Sequence, residues 1–513
     1  MTVKSPDIAP ESESPAETTT HTDIVIVGAG LSGIGMAAHL LDECPGARYE
    51  ILESRDDLGG TWDLFRYPGI RSDSDMYTMG YRFKPWNRPE TVAPGQMILD
   101  YLREAAVERG IDKHIRFRHE VTRCSWNSDD SLWTITADTP DGQRQWTASY
   151  VVLATGYYGY DKAYTPDFAG MADFQGKIIH PQYWPQDYDY SDQRMVVIGS
   201  GATAVTLVPS LAETAKHVTM LQRSPTYMFT SPTKDPISLW LRDRIPDSWI
   251  FQLARIRHIG FQMFSYQLSR RRPEKAADYL VREVAEQLPN DADVSDFTPT
   301  YRPWDQRLCL IPDGDLFAAM QQEKADVVTG QIKRFTKTGV ELIDGRLLEA
   351  DAIVTATGFD LLILGGAEIV VDGKALDLRD TKVYKGMMFS GVPNLAFMVG
   401  YTNASWTLKV DMVASHFCRL LNYMKRKGYD VCTPEATDPE LQSVSMMPLT
   451  SGYIQRSQHL LPEEGHRAPW RLRQNYFLDY LALTLGRVRH KELKFRRRTA
   501  QKPPDSARHK RRM

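Results

Sequence analysis

The 513-residue sequence predicts an α/β chain with two Rossmann-like dinucleotide-binding domains, one of them discontinuous. Two patterns carry that fold class: a strand, glycine turn and helix unit occurs twice, at 23–41 and 194–212, and two strands end alike in ATG, at 150–160 and 352–360. Length agrees, because one hydrophobic core seldom organises more than about 250–300 residues.

The opening MTVKSPDIAPESESPAETTT is rich in Ser, Thr, Pro and Glu and lacks an apolar core, so residues 1–22 read as a disordered tail and not as a signal peptide. In DIVIVGAGLSGIGMAAHLL a buried-strand pattern runs into Gly28, Gly30 and Gly33 and then into an Ala-rich helix. Gly28 permits the tight turn, Gly30 lets the backbone approach a pyrophosphate with Ser32 in the same turn, and Gly33 lets helix and strand pack closely. The next strand, YEILES, ends in Glu53, whose carboxylate would accept hydrogen bonds from ribose hydroxyls. This first site reads as one for FAD.

RMVVIGSGATAVTLVPSLA repeats the plan with Gly199, Ser200, Gly201, Ala202, Thr203 and Ala204, but its next strand, VTMLQRS, closes on Arg223 and Ser224. A guanidinium binds a ribose 2′-phosphate that a carboxylate would repel, so the second site reads as one for NADPH. The plainer alternative is a surface arginine just past a strand. The ATG strand ends suggest a chain that leaves the FAD domain near Tyr158 and returns near Arg379. The expected organisation is FAD-binding at 23–158, NADPH-binding at 159–378, FAD-binding again at 379–495 and a basic tail at 496–513. Between 232 and 299 the Rossmann pattern gives way to WLRDRIPDSWIFQLARIRHIGFQMFSYQLSRRR, which predicts a helical insertion, either a lid over a channel or a basic amphipathic surface that touches membrane.

The formal charge of −3 argues against a nucleic-acid partner, which needs concentrated positive surface. Cys44, Cys124, Cys309, Cys418 and Cys432 are scattered and never at CxxC spacing, so no disulfide framework, metal site or redox pair is expected and a reducing cytoplasm fits best. The missing redox pair also disfavours a flavin disulfide reductase. No apolar run is long enough to span a bilayer.

Two longer motifs remain. GGTWDLFRYPGIRSD carries Gly60, Trp62, Tyr67, Pro68, Gly69 and Asp73, and FQGKIIHPQYWP carries Phe174, Gly176, His180, Trp184 and Pro185. Together they resemble the fingerprints of the type I Baeyer–Villiger monooxygenases of the flavin-containing monooxygenase superfamily. Trp184 favours this branch, since related N- and S-oxidising enzymes usually place Tyr or Phe there. The stretches RYPGIRSDSDMYT, PWDQRLCL and GYTNASWTLK look most like the subgroup that contains the ethionamide-activating monooxygenase.

The resemblance implies FAD, NADPH and O2 acting on a small-molecule ketone to give an ester or lactone through a C4a-peroxyflavin, with sulfide or thioamide S-oxygenation as a side activity. The alternatives are a flavin N/S-monooxygenase without ketone activity and a non-catalytic nucleotide-binding redox sensor. Arg307 matches the active-site arginine, which stabilises negative charge without acting as an acid. Asp73 matches the carboxylate that orients it beside the flavin. Gln306 stands where better-known branches carry a lysine for the 2′-phosphate, so preference for NADPH rests on Arg223 and Ser224. Gly60, Thr61 and Trp62 are expected to line the flavin ring, the backbone of Val121 to contact adenine, and Arg71 and Ser72 to reach the nicotinamide half. A helix beginning near Trp406 would aim its dipole at the flavin, with a merely buried helix as the alternative. Phe174, Gly176, His180 and Trp184 are read as coupling the two domains, and Cys309 as a buried thiol. For the insertion, helical insertions in family members favour the lid reading.

Overall fold

The computed structural model describes residues 19–447, 449–471 and 473–498. Two parallel sheets form its frame. In the first, Leu395–Phe397, the end of Gly142–Leu153, Thr20–Val27, Tyr49–Leu52 and Ile115–Arg116 pair in parallel. The start of Gly142–Leu153 continues antiparallel into Leu132–Thr139 and Glu120–Asn127. Its central strands are unbroken apolar runs because both faces are covered, so Val25, Ile26, Val151 and Val152 lie fully buried. The second sheet orders Ala325–Thr329, His217–Gln222, Arg194–Ile198, Ala352–Thr355 and Lys177–Ile179, all parallel.

Each glycine turn is backed by the ATG strand end of its own sheet. Gly28 has φ +102°, and a Cβ there would stand 2.7 Å from the Ala154 carbonyl oxygen. Gly199 has φ +143°, with its Cβ 2.3 Å from the Ala356 carbonyl oxygen. The two ATG ends are therefore equivalent supports, and a side chain at either glycine would push the turn off its strand.

The chain crosses between sheets as a two-stranded ribbon, Tyr158–Ala163 antiparallel to Phe359–Leu361. Its return comes earlier than residue 379. The short apolar strand Glu368–Val371 already pairs in parallel with Glu120–Asn127 of the first sheet, because it completes the burial of that edge. Both tail boundaries also shift. Thr20, His21 and Thr22 extend the first strand opposite Trp146, Thr147 and Ala148, and Arg496 ends a strand paired with Val431. The rest of the expected tails, 1–18 and 499–513, lies outside the described residues.

The insertion is helical, with Pro236–Leu241, Asp247–Arg271 and Pro273–Ala285. Its long helix lies on the first domain. Phe251, Ala254, Ile259 and Met263 join that core, and buried Arg255 donates to the carbonyls of Tyr77 (2.9 Å) and Gly80 (2.7 Å) and to Asp411 (3.2 Å).

Candidate active site

Arg307 lies on the loop entering strand Cys309–Pro312. That loop is closed by a bridge between Pro303 and Gln306 and turns through Trp304 at φ +70°. Arg307, Tyr157, Thr402, Trp406, Met447 and Tyr453 share one small recess. The Arg307 side chain is one-third exposed (33%), yet its Nε is buried without a hydrogen-bond partner. Proximity to Tyr157, then to Tyr453, Tyr158 and Asp73, holds its pKa well above the ordinary value against the opposing effect of burial. Burial pushes the Tyr453 phenol up to about 12 and Tyr158 further still, so both are neutral hydroxyls at working pH. Asp73 stands 3.9 Å from Arg307 and is largely exposed, a long contact and not a hydrogen-bonded pair.

The first glycine turn opens the helix Leu31–Glu43 with no side-chain cap, leaving its first N–H groups free for an anion. Glu53 is buried at the strand end. Its carboxylate accepts the N–H groups of Ala29 (2.7 Å) and Arg55 (2.9 Å), and burial raises its pKa despite them. With the Ser54 hydroxyl donating at 3.4 Å, three of its roughly four lone-pair sites are used, and Oε2 keeps one for a ribose hydroxyl. Gly60 caps the short helix Thr61–Leu64 and lies against Gly30, while Trp62 packs on the first core. Val121 sits two residues beyond His119, whose N–H donates to the Glu53 carbonyl (2.8 Å). Ser32 lies in the first turn of helix Leu31–Glu43, and its Oγ accepts the indole N–H of Trp406 (2.8 Å). Trp406 is the first residue of helix Trp406–Lys427, so the two helix starts converge on one place.

The second glycine turn also opens its helix, Ala202–Ala212, without a side-chain cap, and a Cβ on Gly201 would meet nothing within 4 Å. Ser200 bonds Thr226 (2.8 Å) and the Ser224 carbonyl (3.3 Å), tying the turn to the end of the next strand. Thr203 bonds the Tyr67 hydroxyl, and Ala204 is buried in the second core. Arg223 is exposed there and forms no hydrogen bond or ion pair with another described residue.

Arg71 and Ser72 are each tied to another segment. Arg71 is paired with Asp315 of the second domain, and Ser72 is buried with its Oγ accepting the Ala93 N–H (3.0 Å). Both are held as joints between segments, because the RYPG turn packs directly on the second domain: a Cβ on Gly69 would fall 2.8 Å from Ser210.

The FQGKIIHPQYWP segment divides in two. Phe174 packs edge-on against Phe335, Gly176 precedes the edge strand Lys177–Ile179, and Trp184 is buried against Tyr190. His180 instead faces the ribbon, its ring 6.2 Å from Phe359, with Nδ1 accepting the Gln182 N–H (3.1 Å). Burial lowers the His180 pKa, so the ring is neutral and Nε2 carries the proton beside the Gly358 and Tyr164 backbone. Gln182 donates to the Gly159 (3.1 Å) and Tyr160 (2.8 Å) carbonyls. Gln182, Tyr157 and Tyr453 were not anticipated from the sequence. Tyr157 was signalled by its place directly after an ATG turn; the other two carry no local pattern. Cys309 is buried, with its thiol pushed up to about 12 by burial.

Known proteins share this plan. Residues 25–256 match the family described as pyridine nucleotide-disulphide oxidoreductase. The FAD-containing monooxygenase EthA of Mycobacterium tuberculosis is 49% identical over 484 residues, 94% of this chain and 99% of that protein. The chain belongs to the FAD-containing monooxygenases. The probable FAD-binding monooxygenase AlmA of Acinetobacter baylyi is 46% identical to this monooxygenase over 482 residues, covering 93% and 97% of the two chains. Among solved structures, an oxidised steroid monooxygenase bound to NADP superposes at TM-score 0.72 with 21% identity, over 93% of this chain and 100% of that one. A cyclohexanone monooxygenase bound to ε-caprolactone superposes at 0.71 with 22% identity and the same coverage. The monooxygenase thus has the expected fold of two dinucleotide-binding domains.

Proposed function

We propose that this monooxygenase is of the Baeyer–Villiger type, inserting one oxygen atom of O2 beside a ketone carbonyl, with oxygenation of sulfides or thioamides as a second activity. The reading rests on one observation: Arg307 stands at an aromatic recess with a buried, unpartnered Nε and a carboxylate within reach. The residues present fit both cofactors. The first cradle, Gly28 to Gly33 with Glu53, is assigned to FAD. The second, Gly199 to Ala204 with Arg223 and Ser224, is assigned to NADPH, whose 2′-phosphate the unpaired guanidinium suits. When bound, the two cofactors supply reducing equivalents and the activated oxygen.

The chain contributes orientation, charge and exclusion of water. Arg307 stabilises negative charge at the recess and cannot release a proton there. The neutral phenol of Tyr453 can donate a hydrogen bond toward the same place. Trp406, Met447 and Leu449 give the recess an apolar wall, which strengthens each of these interactions. The start of helix Trp406–Lys427 adds its dipole on the side of the first cradle. His180 and Gln182 hold the ribbon and so fix how the second domain meets the first; their role is positioning.

Product analysis tests the proposal. The purified protein is incubated with NADPH and, separately, a linear ketone, a cyclic ketone and an aryl methyl sulfide, and products are identified by mass spectrometry. Esters or lactones support the reading. Sulfoxide alone reassigns the protein to N/S-oxygenation, and NADPH binding without turnover reassigns it to a sensor.

A further inference from the structure

The long insertion helix Asp247–Arg271 is apolar on two faces, and the described residues cover only one of them. Phe251, Ala254, Ile259 and Met263 pack on the first domain. On the far side Trp249 (64% exposed), Leu253 (49%), Ile256 (67%) and Phe264 (66%) follow at helical spacing, and Phe261 (67%) lies beside them. Trp240 of the preceding helix is 61% exposed. A second exposed run, Phe477, Leu478, Leu481 and Leu485, lies alongside, since the Tyr476 N–H meets the Met263 sulfur at 3.4 Å. Of the 22 exposed large apolar side chains among the described residues, nine fall at 237–268 and four at 477–485, so the exposure is one concentrated surface and not scatter.

Charge identifies the occupant. In the long helix Arg255 is buried against Asp411, and Arg257 and Arg270 pair with Asp235 and Asp305, so the exposed cations left over are Arg271 and Arg272 at its C-terminal end, far from Asp247 at its start. The second run is bracketed by Arg473 on one side and by Arg487 and Arg489 on the other, all exposed. A second copy of this chain would bring those cations against their own kind. An anionic bilayer instead accepts them at the headgroups while Trp and Phe enter the acyl boundary. No helix among the described residues is long and apolar enough to cross a membrane, so the surface would lie on the bilayer and not span it.

We propose that this face is a monotopic docking surface for anionic phospholipid bilayers. Docking would set the active-site loop beside the membrane. Tyr266 packs edge-on against Trp304 (5.3 Å), and Arg270 bonds Asp305 (2.7 Å), two residues before Arg307. The inference concerns binding alone and does not depend on the substrate assigned above.

The test is flotation of the flavin-loaded full chain with vesicles of phosphatidylcholine, with and without phosphatidylglycerol. The parent protein is expected to float with the anionic vesicles and to be released by high salt. A Trp249→Ser/Ile256→Ser/Phe264→Ser variant should lose tenfold or more of its partitioning with unchanged flavin content and melting temperature. An Arg271→Glu/Arg272→Glu variant should lose the preference for anionic vesicles. Failure of the parent to float at low salt overturns the proposal, as does equal flotation of the apolar variant. If the parent is an oligomer that binds no vesicles and the apolar variant is a monomer, the face is a self-association surface and the proposal falls.

Discussion

Replacing Arg307 and Asp73 one at a time separates the two halves of the proposed charge device, and the structure assigns them unequal weights. At 3.9 Å, with Arg307 33% and Asp73 61% exposed, water-like screening applies. Coulomb's law then gives about 1 kcal/mol for the contact, so Asp73→Asn should slow ketone oxygenation about fivefold at most. Arg307→Ala removes the cation from the recess altogether. Loss of one preorganised group that stabilises developing negative charge costs about 3–4 kcal/mol, so the rate of ester formation should fall by about 10²–10³. The assay is ester formation from a linear ketone at saturating NADPH, with flavin content measured by absorbance to establish folding. An Arg307→Ala variant that makes ester within about threefold of the parent rate would refute the role given to this guanidinium, since the mechanism asks about 10² of it. An Asp73→Asn loss equal to that of Arg307→Ala would refute the weighting and show that the pair closes to a hydrogen bond during turnover.

Three further outcomes follow from the same geometry. Arg223→Ala should raise the KM for NADPH about tenfold or more and leave that for NADH nearly unchanged, since only the former carries the 2′-phosphate; an equal effect on both would remove the cofactor assignment. His39 is held charged: burial alone would lower its pKa, but hydrogen bonds to Asp411 (3.4 Å) and Glu43 (2.7 Å) raise it to about 9. Its contribution is complete below about pH 6.5 and disappears as pH rises through about 9. Parent stability in urea should therefore fall by about 3 kcal/mol across that window and His39→Gln should flatten the slope; an identical slope in both would contradict it. Lys409, 1% exposed, pairs with Asp479 at 3.0 Å, and Tyr401 bonds the same carboxylate at 2.8 Å. Asp479→Asn should cost about 3–5 kcal/mol in urea unfolding, and Lys409→Met/Asp479→Leu should recover much of it; a single variant as stable as the parent would argue against a charged pair.

Local chemistry made the two nucleotide folds legible in the sequence. Gly28 and Gly199 need positive φ and backbone contact with an ATG strand end, and few residues other than glycine satisfy both demands, so the unit repeats visibly. Glu53 and Arg223 were readable for the same reason, each closing the strand after its turn. The helical start at Trp406 likewise followed from residues adjacent in the chain.

What depended on distant segments meeting was not legible. Arg71 and Ser72 stand beside Asp73 in the chain, but Asp315 and Ala93 take them up, and no local pattern names those partners. The return to the first domain was placed too late, because a four-residue strand such as Glu368–Val371 shows its sheet only through the edge it pairs with. By itself the sequence determined the glycine turns, the acid and the guanidinium that end their strands, and the family to which the chain belongs. Tertiary structure alone decided that Tyr157 and Tyr453 gather around Arg307, that Gln182 grips the ribbon, and that one apolar helix face is left uncovered by the described residues. The physical reason is range: backbone conformation is set by neighbours in the chain, whereas burial and charge pairing are set by whichever surfaces folding brings together.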